Sequence, residues 1–108
     1  MFKRGDVWWI QLDPTIGAEI AKTRPCLIVT TDVLNDRRRT VVVIPLLTSP
    51  EANPPLMVPV TCAGKPSVAV IDQLRAVSKK RFAKRIGTIS TANLLAVEEA
   101  LRNILDLL

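Results

Sequence analysis

The chain has 108 residues, 48% of them hydrophobic, enough for one apolar core and hardly for two, so a single domain over 1–108 is expected. Fifteen Lys and Arg against ten Asp and Glu leave a formal charge of +5 and a sequence pI near 9.8, which suits an anionic partner. The absence of histidine excludes histidine triads and most zinc sites, and four glycines without a Walker or dinucleotide fingerprint give nucleotide-cofactor chemistry no support, so neither cofactor nor metal is expected.

The longest apolar runs, such as 41–47, stop far short of the roughly 20 residues of a membrane helix. Met1-Phe2-Lys3-Arg4 leads into Gly5-Asp6 without a signal-peptide core, so the expected location is the cytoplasm, with no membrane partner. Cys26 and Cys62 sit in apolar, strand-like surroundings without CxxC spacing and read as buried, reduced thiols. A domain this small buries somewhat under about 70% of its unfolded surface, so a second protomer is a natural cover for residual apolar area.

In chain order, Val7-Trp8-Trp9-Ile10-Gln11-Leu12 is rich in β-formers and predicts a strand, which Asp13-Pro14 and Gly17 punctuate. Residues 13–24 lack helical periodicity and form a loop longer than hairpins usually carry, a length often associated with function. A second strand follows over 25–31, a turn at Asn35-Asp36 with the run Arg37 to Arg39, and a third strand over 40–47 containing three consecutive valines. The prolines of 50–55 predict an extended loop; 56–61 is a further strand in which Pro59 marks an edge or bulge. Ala63-Gly64-Lys65-Pro66 reads as a turn and 68–71 as a strand, with 73–77 its continuation or neighbour and 85–89 a last short strand around Gly87. The period then changes. Leu94, Val97, Leu101, Ile104, Leu105 and Leu108 follow helical spacing, with Ser90 or Thr91 available as N-cap. The fold class is mainly β, a small barrel closed by a C-terminal helix.

Charge is unevenly spread. No carboxylate lies between Gln73 and Val97, yet Arg75, Lys79, Lys80, Arg81, Lys84 and Arg85 do, so this stretch exceeds the whole net charge. It is either a solvated turn beside the sheet or a shoulder that attracts phosphates. A phosphodiester reaction can proceed with arginine, carboxylates, hydroxyls and backbone amides, because RNA carries its own nucleophile, the 2′-hydroxyl. Donors aimed at the pentacoordinate phosphorus then supply a large electrostatic contribution. Arginine is a poor base alone, and Glu19 is the carboxylate in the loop leading to Arg24.

Arg4-Gly5-Asp6-Val7-Trp8-Trp9, Leu12-Asp13-Pro14, Gly17-Ala18-Glu19 and Arg24-Pro25 entering an apolar strand resemble the N-terminal signature of the MazF/PemK-type toxin endoribonucleases. Pro45-Leu46-Leu47-Thr48-Ser49, Asp72-Gln73-Leu74-Arg75 and Ile86-Gly87-Thr88-Ile89 resemble the later blocks of that family, in the same order, so the likeness spans nearly the full chain. It implies an SH3-like barrel with added helices (MazF/CcdB-like) and a homodimer that cuts single-stranded RNA, mRNA included, at short specific sequences without metal. The implied products carry a 2′,3′-cyclic phosphate and a 5′-hydroxyl, and a cognate acidic antitoxin (MazE-like) holds the enzyme inactive. By position, Arg24 takes part in proton transfer and binds the scissile phosphate and Thr48 stabilises the transition state; Glu19, the carboxylate of the same loop, is the candidate to assist Arg24. RNA contacts fall to Thr15, Gly17, Lys22, Ser49, Asp72, Gln73 and Arg75. One departure stands beside Glu19: many members carry Gln next, where this chain has Ile20.

Plainer readings stay open at each position. Arg24 is also a strand-entry charge facing water, and Thr48 with Ser49 a pair of loop caps bonding their own backbone. Asp72 and Gln73 either contact a base edge or anchor barrel loops. Trp8 and Trp9 point to opposite faces of a strand, leaving at most one for the core and the other free to stack on a base or receive an antitoxin side chain. The run Arg37 to Arg39 is a solvated hairpin tip or an RNA contact. Two other functions compete: a non-catalytic RNA-binding barrel, and a gyrase inhibitor like the CcdB toxins, whose Trp-Gly-Ile ending contrasts with Leu107-Leu108 here.

Overall fold

A computed structural model of the chain describes residues 1–48 and 52–107. Among the described residues seven strands form one curled antiparallel sheet: β1 (Asp6–Gln11), β2 (Thr23–Ile28), β3 (Thr40–Leu47), β4 (Met57–Cys62), β5 (Lys65–Val70), β6 (Arg75–Ser78) and β7 (Phe82–Thr88). Helix α1 (Asp32–Arg37) links β2 to β3, and α2 (Thr91–Ile104) closes the chain. The order is β4-β5-β3-β2-β1-β7, with β6 paired to β3. The long strand β3 bends between partners. Thr40 to Val43 pair with β6, Leu46 and Leu47 with β5, and Val43 to Pro45 with β2.

The unbroken apolar runs of β2 and β3 are explained by burial on both faces. Val7, Leu27, Ile44 and Leu46 point to one side, where Val97 and Ala100 of α2 cover them. Cys26, Ile28, Val41 and Val43 point to the other, with Val77 and the aromatic group of Phe2, Trp8 and Phe82. Composition predicts one core; the period-2 alternation of the central strands instead produces two apolar layers separated by the sheet. The curl brings the sheet's ends together. At Gly87 a β-carbon would lie 3.2 Å from the Cys62 sulfur, so β7 passes the β4–β5 hairpin at a distance that only glycine allows without displacement.

Pro59 sits on β4, an edge strand as its missing N–H requires. On the same strand the Thr61 N–H is occupied by the Asn93 side chain at 2.9 Å. Ala63 and Gly64, at φ 52 and 75, make a two-residue turn, so Lys65 and Pro66 belong to β5 rather than to the predicted turn. The predicted turn at Asn35-Asp36 is a second correction: residues 32–37 are helical. Asn35 is fully buried and donates to the Thr30 carbonyl at 2.9 Å. Six residues are too few for periodicity to reveal a helix. Ser90 caps α2 by accepting from the Asn93 N–H at 3.1 Å. Leu105, predicted in the packed stripe, is exposed because the helix ends at Ile104 and Asp106 turns to positive φ. Leu108 and residues 50 and 51 of the predicted proline-rich loop lie outside the described residues.

Candidate active site

Antiparallel pairing of Cys26 with Pro45 sets the register of β2 on β3, and continuing it two residues places Arg24 level with Leu47, next to Thr48. Residues 24 positions apart in sequence therefore meet at one end of the sheet. Both line a cavity of about 320 Å³ whose other walls are Trp9 of β1, Ile86 of β7 and Cys62, Lys65 and Ser67 of the β4–β5 hairpin. Arg24 is half-buried, and its Nε donates to the Ala21 carbonyl at 3.3 Å, which steadies the stem of the guanidinium. Thr48 is exposed and follows the last paired residue of β3.

The two tryptophans part as strand alternation requires. Trp8 packs between Phe2 and Phe82, with ring centroids at 5.0 and 5.6 Å, while Trp9, 39% exposed, faces the cavity. Cys62 also faces it, but burial pushes its thiol above the ordinary range, so it behaves as a neutral wall rather than a nucleophile. Cys26, on the opposite face, is pushed up to about 12 by burial, only partly offset by the positive charge of Arg75. Both cysteines are buried and free.

The loop before Arg24 is tied at its base by the Leu12 N–H donating to the Lys22 carbonyl at 2.8 Å, with Lys22 and Gly17 at positive φ. Glu19 is exposed. It accepts the Ile16 N–H at 2.9 Å and does not line the cavity with Arg24. Thr15, Gly17 and Lys22 belong to this loop and are likewise outside the cavity wall. Gln73 accepts the Ile20 N–H at 3.3 Å and so anchors the loop from below, while its neighbour Asp72 is exposed. Arg75 is half-buried on β6, away from the cavity; Ser49 lies outside the described residues.

The basic stretch 75–85 resolves into different roles. Arg85 hydrogen-bonds Asp6 at 3.0 Å, a contact that raises its pKa, and Thr88 completes the cluster at 2.7 Å from the same carboxylate, joining β7 to β1. Arg81 donates to the carbonyls of Gln11 and Asp13 and clamps the loop base. Lys79 stands 5.3 Å from the centre of the Phe2 ring. Lys65 and Ser67 went unnoticed in the sequence because 63–66 was read as one turn. Their spacing of two on a strand is the signal that places both on the cavity face.

Residues 3–105 match the family described as PemK-like, MazF-like toxin of type II toxin-antitoxin system. Endoribonuclease MazF9 of Mycobacterium tuberculosis (strain ATCC 25618 / H37Rv) is 31% identical over 116 aligned positions, covering 99% of this chain and 98% of the relative. The crystal structure of MazF from Deinococcus radiodurans shares the fold at a TM-score of 0.87 and 20% identity, over 97% of this chain and 96% of that one. An endoribonuclease from a mycobacterial species, solved in complex with its cognate antitoxin, superposes at a TM-score of 0.84 and 21% identity, over 100% of this chain and 98% of that one. The same sheet, the same closing helix and a family match over nearly the whole length lead to one conclusion: the chain belongs to the PemK-like, MazF-like toxins of type II toxin-antitoxin systems.

Proposed function

We propose that the chain is a toxin endoribonuclease that cleaves single-stranded RNA, mRNA included, at short specific sequences, with Arg24 and Thr48 at the reacting phosphate. The observation that carries this reading is their meeting in one cavity, walled by apolar side chains and open to solvent, which Lys65 and Ser67 also line. The 2′-hydroxyl of RNA attacks the adjacent phosphorus; the new O2′–P bond forms as the P–O5′ bond breaks. One proton leaves the 2′-oxygen and one reaches the 5′-oxygen, giving a 2′,3′-cyclic phosphate and a 5′-hydroxyl. Arg24 neutralises the charge that grows on the non-bridging oxygens, and the Thr48 hydroxyl donates to the same oxygens. Proton transfer at this site needs no metal-bound water.

Glu19 holds the Ile16 N–H in the free chain, so a role in proton transfer requires the loop to rearrange on RNA. Glu19→Gln tests it: a loss of rate at saturating RNA supports the role, and an unchanged rate removes it. Lys22 and the backbone around Thr15 and Gly17 are proposed to hold the RNA strand as it enters from the loop side, with Asp72, Gln73 and Arg75 shaping the loop's underside and Ser49 beside Thr48.

The protein acts in the cytoplasm as a homodimer, and a cognate acidic antitoxin blocks the cavity. The +5 charge of the chain and the exposed Trp9 at the cavity mouth support such a partner. Among the described residues no helix is long and apolar enough to cross a membrane. The decisive experiment treats mixed single-stranded RNA with purified protein in EDTA and maps the ends. Cyclic phosphate and 5′-hydroxyl ends at a recurring short sequence are expected; a 3′-hydroxyl at the cut contradicts 2′-hydroxyl attack, and intact RNA reduces the protein to an RNA-binding barrel.

A further inference from the structure

Two basic runs some 40 positions apart in sequence converge at the Thr40 end of β3, the end opposite Thr48. Arg37, Arg38 and Arg39, between α1 and β3, and Lys79 and Lys80, just after β6, surround one open concave site together with Asp36 and Ser78. The pairing of Thr40 with Ser78 brings the runs side by side, and the Lys79 N–H donates to the Arg39 carbonyl at 2.9 Å. Five cations face one carboxylate, and no lining residue is apolar. Resting on that endoribonuclease reading, we infer that this site is a second RNA contact, which holds backbone phosphates of the substrate strand well away from the cut.

The chemistry selects phosphate over a protein surface. Protein partners are held by a few buried aromatic or apolar anchors, which this lining lacks, whereas sequence-independent phosphate binding needs only cations on flexible stems. The separation adds a requirement on length. Followed along β3, about 25 Å of strand separates this site from Thr48, at about 3.3 Å per residue, and the bend of β3 shortens the direct span. Only a strand that continues several nucleotides beyond the scissile linkage reaches both ends. The Debye length of about 8 Å at physiological salt screens the site's field at the cavity, so a short RNA does not sense it.

The test compares the wild type with the double variant Arg38→Glu and Lys80→Glu, both at exposed positions, on two RNAs: an oligonucleotide that barely spans the cleaved linkage, and the same site within a longer strand. The inference expects kcat/KM on the long RNA to fall roughly tenfold, with the short RNA unaffected. It also expects the salt dependence of long-RNA binding to flatten by about 0.7 in log-log slope per phosphate contact removed. Equal losses on both RNAs, or no loss on either, overturn it, as does weakened antitoxin binding with long-RNA binding unchanged. If the wild type cuts neither RNA, it is the endoribonuclease reading that fails; the salt slope for the uncut long RNA still decides whether phosphates bind here.

Discussion

The two ends of β3 differ in kind. At the Thr48 end a half-buried guanidinium shares a cavity with two hydroxyls, an indole, apolar walls and one exposed cation, Lys65. At the Thr40 end five cations crowd an open surface with almost nothing to oppose them. A guanidinium next to apolar walls acts on a phosphate through less water than one among solvated neighbours, and its charge is worth correspondingly more. On the proposed reading, charge density marks where RNA is held, and the sheltered guanidinium marks where it reacts. Arg24→Ala is the strongest way to break that contrast. It is expected to lower kcat by about 10²–10³-fold, the usual cost of one lost transition-state donor, while leaving the fold intact. Single-turnover cleavage assays measure this, and a change confined to KM would place Arg24 on the binding side instead.

Thr48→Val comes next, with an expected loss of about tenfold in kcat and little change in KM, since the hydroxyl contributes one neutral hydrogen bond. Trp9→Ala sharpens the comparison from the other direction. An indole that stacks on a base contributes about 1–3 kcal/mol to binding, so KM is expected to rise and kcat to hold. Quenching of tryptophan emission by an uncleavable 2′-deoxy RNA provides an independent reading, and Trp8, packed against Phe2 and Phe82, supplies the unresponsive background.

Much of this contrast is legible in the sequence, and unequally so. The strands around Val7, Leu27 and Val43 and the helix around Val97 announce themselves by period, because each buries whole rows of side chains. The cavity end is legible through Arg24-Pro25 and Thr48 only as two separate candidates, and their meeting follows from strand register. The basic end is not. Arg37 to Arg39 and Lys79-Lys80 each read as solvated runs, and only the pairing of β3 with β6 joins them. Nor does sequence separate Arg81 and Arg85, bound to backbone carbonyls and to Asp6, from the exposed Lys80 and Lys84, since that depends on which acceptors the sheet's curl brings within reach. Glu19 shows the converse. Proximity to Arg24 along the chain suggests proximity in space, yet its carboxylate closes its own loop.

The smallest expected effect concerns the layer beneath the basic end. Cys26 packs there with Val41 and Val77, and its thiol is raised from 9.0 to about 12 by burial. The unfolded chain titrates this group at its ordinary value, so above pH 9.0 the unfolded state loses a proton that the folded state keeps. Stability is thus fully present below that value and declines as pH climbs toward the folded value, by at most about 1.4 kcal/mol per pH unit. The chain has no tyrosine to add a phenolic titration in the same window. Urea unfolding at pH 8 and pH 10 measures the decline. Cys26→Ala is expected to lower stability at both values through the lost sulfur contacts, yet to show a shallower fall between them. Cys62, raised in the same direction on the cavity side, accounts for the slope that remains in that variant. An equal fall in wild type and variant would mean that the Cys26 thiol titrates alike in both states, and that the layer under the basic end is wetter than its packing implies.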